Sequence, residues 1–198
     1  MFAALTGLGL STAAGLNAYI PLLVVGVLAN LTDAVKLPDG YDWLSNWGVL
    51  AVIAVLLVAE MVLDKVPVVD SVNDAIQTVV RPASGGVVFS ATNAAAELDG
   101  STWMTANPWA SWLLGIVVAL AVHALKSATR PVINAGTAGV GAPVASTAED
   151  AGALGMSLIA VFMPLLVIVA LALLALTAWW AIRRVRRFRA RKQSRPAG

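Results

Sequence analysis

The sequence predicts an all-α polytopic membrane protein, with about four full spans plus two re-entrant or broken helical hairpins arranged as an inverted repeat. Three observations carry this prediction. First, 59% of the 198 residues are hydrophobic and 12% charged, with a mean hydropathy of +0.83, whereas soluble domains are about 45–50% apolar and about 25% charged. Second, long apolar runs alternate with Gly- and Pro-containing stretches too short or too polar to cross a bilayer alone. Third, charge is segregated. Eight of 13 basic residues lie in "RRVRRFRARKQSR", residues 183–195, and the rest of the chain holds five basic against 11 acidic residues, a formal −6. A basic run directly after an apolar span marks the cytoplasmic side and suits contact with anionic lipid.

The elements follow in order. Residues 2–31 are apolar, but Gly7, Gly9, Gly15, Ser11 and Asn17 weaken the first half and Pro21 interrupts the helical ladder; in a membrane such breaks persist where they are buried in protein or line a wet cavity. The amino terminus lacks a positive region and a cleavage site, so the segment is expected to stay in the bundle. A second span runs from Trp43 to about Val66, with Trp43 and Trp47 as interfacial residues. Residues 68–98 place Val69, Val72, Ile76, Val79 and Val80 at helical spacing opposite Asp70, Asn73, Asp74 and Gln77. "RPASGG" then reads as a turn, with Pro82, Gly85 and Gly86 at its apex, making a first hairpin. The next span is "WASWLLGIVVALAVHALKSATR". It leads into "PVINAGTAGVGAPVASTAEDAG", a second hairpin turning at Pro131, Gly136 and Gly139. A long final span covers Ala153 to Ile182 and contains Pro164.

Two internal echoes suggest a repeat. "YIPLLVV" (19–25) resembles "FMPLLVI" (162–168), with Gly9 and Gly152 at the same offset, and an Arg-Pro pair follows a charged span end at both Arg81-Pro82 and Arg130-Pro131. Residues 1–100 and 101–182 are the two expected halves, and 183–198 a basic cytoplasmic tail. With that tail inside, the two hairpins enter from opposite faces, as inverted repeats do in transporters.

Ionisable groups at bilayer depth are costly and face a partner or water. Glu60 and Asp64 are spaced i, i+4, and His123, Lys126 and Arg130 are spaced i, i+3, i+7, so each set shares a helix face. An acidic face on one span can then pair with a basic face on another. Desolvation makes a buried carboxylate hold its proton more tightly, which puts Glu60 first and Asp64 second as proton-coupling sites. His123, the single histidine, is the third, as a relay. Arg81 and Arg130, aided by Lys126, Ser84, Asn134 and Asn17, form the expected anion-binding set, because guanidinium groups are shaped for carboxylate or phosphate.

Several classes are disfavoured. No cysteine is present, so disulfides and thiolate metal sites are excluded. A lone histidine builds no metal site, and neither metal nor cofactor is expected. The absence of a G-x-x-x-x-G-K-[ST] loop argues against ATP drive. The tail offers only Phe188 for base stacking, so no nucleic acid is expected as a partner. No H-E-x-x-H and no plausible Ser-His-Asp arrangement supports an enzyme.

The strings "GLSTAAGLNAYIPLL", "DKVPVVDSVNDAIQTVVRPASGG" and "RPVINAGTAGVGAPVASTAED" resemble a domain-of-unknown-function family, family 4126, of small bacterial polytopic membrane proteins. The resemblance covers most of the chain except the tail and implies a membrane location. The E-x-x-x-D-K stretch is faintly similar to a signature of divalent-cation/proton exchangers, and the paired hairpins resemble DedA-type polyprenyl-phosphate translocases in architecture. The resulting expectation is a proton-coupled secondary transporter in the cytoplasmic membrane. Its expected partners are the lipid bilayer, an anionic or amphiphilic, lipid-phosphate-like substrate, and a second copy in a homodimer. A divalent-cation transporter and a non-transporting subunit of a larger complex are the alternatives.

Overall fold

The computed structural model describes residues 2–37, 39–64, 67–92, 109–137 and 141–193. Among these every regular element is helical: α1 (Phe2–Leu16), α2 (Tyr19–Leu31), a 3-10 turn (Asp42–Ser45), α3 (Trp47–Leu63), α4 (Pro67–Ala91), α5 (Trp109–Thr137), α6 (Gly141–Phe162) and α7 (Pro164–Gln193).

Local chemistry explains where helices start and stop. Asn46 caps α3, its Oδ1 accepting from the Gly48 and Val49 N–H groups, which would otherwise lack partners in the first turn. Between α1 and α2 the chain breaks at Asn17–Ala18. Pro21 has no N–H to give the carbonyl four residues back, that of Asn17, and the Asn17 side chain caps the helix that restarts there by accepting from the Tyr19 and Ile20 N–H groups. A second break falls at Met163, so that Pro164 opens α7 as the first helical residue. Both echo segments thus stand at helix breaks, and the expected single span Ala153–Ile182 is the end of α6 plus the start of α7.

The first expected hairpin turn is corrected and the second is shifted along the chain. α4 continues through Arg81-Pro82-Ala83-Ser84-Gly85-Gly86 without a turn, so Pro82, Gly85 and Gly86 lie in a helix. α5 likewise continues through Pro131 and Gly136. Residues 131–137 and 141–152 are parts of two long helices, and the chain reverses between Thr137 and Gly141, later than Pro131 and Gly136; Gly139 lies outside the described residues. The reason at the first site is packing. A Cβ on Gly85 would meet the Ala119 Cβ at 2.5 Å and the Gly115 carbonyl oxygen at 2.6 Å, and one on Gly86 would meet the Trp112 ring at 2.6 Å. The glycines bring the α4 and α5 backbones close together, and the contacts so gained outweigh the one hydrogen bond that Pro82 removes.

Helix directions follow from contacts. α3 and α5 both start beside the 32–46 loop, where Trp112 Nε1 donates to Tyr41 Oη, and run towards Asp64 and Arg130. α6 returns antiparallel to α5, with Gly141 near Thr137 and Glu149 on Lys126 and Arg130. α1 lies antiparallel to α6, Leu16 meeting Gly152 and Ala160 meeting Gly9. α2 lies antiparallel to α3, Gly26 meeting Leu50. Hence α1 runs in and α2 runs back out, a helical hairpin whose tip, Asn17–Ala18, lies inside the bundle.

Polarity is inverted relative to a water-soluble bundle. On α4, Asn73, Gln77, Arg81 and Ser84 are buried, while Ile76 and Val79 are 58% and 73% exposed. α3 exposes Val52, Val55, Val58 and Val62 and buries Glu60. An apolar core does exist, built on Leu10, Ala14, Val25, Val88, Ala119, Ala160 and Val167 where α1 meets its neighbours. By length and composition, among the described residues, Trp109–Arg130 is the one helical stretch long and apolar enough to cross a membrane; Ala4–Leu16, Tyr19–Leu31, Trp47–Leu63 and Pro164–Thr177 are shorter apolar helices.

Candidate functional site

Four helices deliver six charged side chains to one buried cluster. α3 contributes Glu60 near its end and Asp64 just past it; α4 contributes Arg81; α5 contributes Lys126 and Arg130 one turn apart; α6 contributes Glu149. Arg81 Nη2 donates to Glu60 Oε1 at 2.8 Å and lies 3.8 Å from Asp64 Oδ2. Asp64 Oδ2 also receives Lys126 Nζ at 3.4 Å and Arg130 Nη2 at 3.2 Å, while its Oδ1 accepts from Asn73 Nδ2 at 2.6 Å. Lys126 and Arg130 converge again on Glu149 Oε2, at 2.9 and 2.8 Å. Three cations thus face three carboxylates. Five of the six side chains are 0–4% exposed, and Glu149, at 16%, is where the cluster meets the surface.

His123 extends the cluster. Its Nδ1 lies 3.1 Å from Arg81 Nη1 and its Nε2 lies 3.0 Å from Thr78 Oγ1. A guanidinium only donates, so Nδ1 is the acceptor and the ring proton sits on Nε2. The Thr78 hydroxyl already donates to the Asp74 carbonyl at 2.8 Å, leaving its lone pairs for that Nε2–H. We assign the neutral Nε2–H tautomer on this network. In this arrangement His123 orients Arg81.

The Arg81–Glu60 pair is end-on. A bidentate fork would use Nε together with Nη2, yet among the described residues Arg81 Nε and Glu60 Oε2 have no hydrogen-bond partner, and neither has Gln77 Oε1.

The α1–α2 tip is fastened to the helices around this cluster by three bonds. Lys126 Nζ donates to the Leu16 carbonyl at 3.1 Å, Ser84 Oγ to the Ala18 carbonyl, and Asn17 Nδ2 to Asp150 Oδ1 at 2.9 Å. Ser84 and Asn17, expected as substrate contacts, are therefore committed to the tip. The Asn134 side chain lies outside the described residues, as do Lys65 and the Asp70 side chain. Beside the tip a groove of about 380 Å³ opens between α2, α3 and α6, with Ile20, Val24, Leu57, Met61, Leu154 and Asp150 among its lining residues.

Sequence reasoning did not single out Glu149, Asp150 or Thr78, and it read Asn73 and Gln77 only as the polar face of their helix. The signal for the first two was available: adjacent acids in a weakly apolar stretch demand partners by the same argument that marked Glu60 and Asp64.

A family model described as "Domain of unknown function (DUF4126)" matches residues 4–184. The chain belongs to this family. No curated protein and no solved structure matches it. All six members of the charged cluster lie within the DUF4126 match, and the residues from Val185 onward lie beyond it.

Proposed function

We propose that the chain is a multi-pass integral membrane protein with a cytoplasmic carboxyl terminus, and that it works as a proton-coupled secondary transporter for an anionic or amphiphilic substrate. The observation that carries this reading is the closed network of three cations and three carboxylates inside a bundle whose outer faces are apolar. Buried ion pairs are poor stabilisers, since well-packed apolar residues often do as well or better. Ionisable groups at membrane depth are therefore functional by default.

The coupling chemistry follows from the contacts. Asp64 is held by Asn73, Lys126 and Arg130, whereas Glu60 is held by Arg81 through one oxygen, and a proton on Oε2 displaces no hydrogen bond. Neutralising Glu60 weakens its hold on Arg81, which then leans on Asp64 Oδ2, 3.8 Å away. Asp64 correspondingly loosens its hold on Lys126 and Arg130, which become receptive to an incoming anion. One proton and one monoanion entering together keep the cluster's sum at zero, so electroneutral symport is the expected mode. The apolar groove beside the tip supports a substrate that carries a hydrocarbon chain. The cation-transport alternative, which would use Glu60, Asp64, Asp70 and Asp74, is less supported, because Glu60 and Asp64 already face basic groups.

Proteoliposomes holding a pH-sensitive dye test the proposal. An inward gradient of inorganic phosphate or succinate should acidify the lumen with the native chain and not with Glu60→Gln. Acidification equal to that of protein-free liposomes, or unchanged in Glu60→Gln, overturns it.

A further inference from the structure

We infer that Lys126 and Arg130 form the seat for the substrate's oxyanion, and that the Glu149 carboxylate is a resident stand-in which the ligand displaces; this deepens the transport reading and rests on it. Two cations from adjacent turns of α5 converge on a single oxygen of Glu149, at 2.9 and 2.8 Å. That is the arrangement a carboxylate or phosphate monoanion would itself adopt between an ammonium and a guanidinium. Glu149 differs from the other two acids in ways that make it the exchangeable one. Its side chain is 16% exposed where those of Glu60 and Asp64 are 1% and 2%. It comes from α6, whereas Asp64 comes from the end of α3 and is fixed by Asn73. When Glu149 turns outward, Lys126 keeps Asp64 and the Leu16 carbonyl, and Arg130 keeps Asp64. The cations therefore stay in place, and an incoming oxyanion restores the lost hydrogen bonds. The ligand class is an oxyanion presenting one terminal oxygen to both groups, whether free phosphate, a carboxylate or the head of an anionic amphiphile.

Chemical rescue tests the inference on the full-length protein in detergent micelles. Glu149→Ala leaves a carboxylate-sized space beside the two cations. Millimolar formate or inorganic phosphate should then raise its unfolding temperature, while leaving Asp64→Ala, whose space is sealed, unaffected. Glu149→Gln should bind inorganic phosphate at least about tenfold tighter than the native chain, the weight of one competing charged hydrogen bond, and adding Lys126→Met should abolish that gain. Absence of rescue in Glu149→Ala, or no gain in phosphate affinity in Glu149→Gln, shows a structural ion pair and overturns the inference. Rescue without proton movement in liposomes retains the seat and removes transport; proton movement without rescue does the reverse.

Discussion

Arg81 and His123 are locked in one orientation relative to each other, because Arg81 Nη1 can only donate to His123 Nδ1, 3.1 Å away. The imidazole cannot add a proton at Nδ1 without losing that bond, so its charge state and the position of Arg81 are linked. His123 being the single histidine, the ¹⁵N spectrum of histidine-labelled protein carrying a histidine-free tag reports the state directly. The expected spectrum shows the proton on Nε2, with Nδ1 bare. In Arg81→Met, Nδ1 loses its donor and the tautomer populations mix. A proton on Nδ1 in the native chain refutes the lock.

Substituting the two acids of α3 should separate stability from proton movement. Asp64→Ala strips a carboxylate that three basic groups approach, and uncompensated buried charge typically costs about 3–5 kcal/mol. Glu60→Gln keeps an oxygen for Arg81 Nη2 and should cost less, while abolishing proton uptake. Denaturation in mixed micelles orders the two; equal losses contradict the division of roles.

Two glycine substitutions check the α4–α5 crossing. Gly85→Ala drives a methyl into Ala119 and the Gly115 carbonyl and should destabilise by about 1–3 kcal/mol, the usual cost of overpacking. Gly155→Ala, with nothing within 4 Å, should be neutral or mildly stabilising because alanine favours helix. Thermal unfolding of the pair in the same detergent decides it, and equal midpoints count against a close crossing.

Asn17→Ala removes the cap of α2 and the hydrogen bond to Asp150 together. A loss of about 1–2 kcal/mol is expected from removing a helix cap. Hydrogen exchange should quicken first at the amides of Tyr19 and Ile20. Protection there equal to the native chain's means the tip is held by its other two fasteners.

The helical class and the charged groups were legible because each has a strong one-dimensional signature: periodicity, and a charge inside an apolar run. Six expected site residues, Glu60, Asp64, Arg81, His123, Lys126 and Arg130, do meet in space. The first turn was not legible, because proline and glycine carry two meanings. Pro82, Gly85 and Gly86 read as a turn, yet a helix keeps going where a partner backbone rewards close approach, and Gly115 is 30 residues away in sequence. Pro21 did mark a break, displaced by the four residues over which a helix hydrogen bond reaches. Glu149 went unnoticed for a related reason: its partners, 19 and 23 positions upstream, sit on another helix.

The hairpin tip at Asn17–Ala18 also sets the order in which this chain can be completed during synthesis. The tip emerges first, but its fasteners Ser84, Lys126 and Asp150 belong to helices made later. A nascent chain halted before α5 would hold Asp64 without Lys126 or Arg130 and the Leu16 carbonyl without its ammonium. Fragments of that kind leave these groups without their partners, and the later helix α5 supplies them.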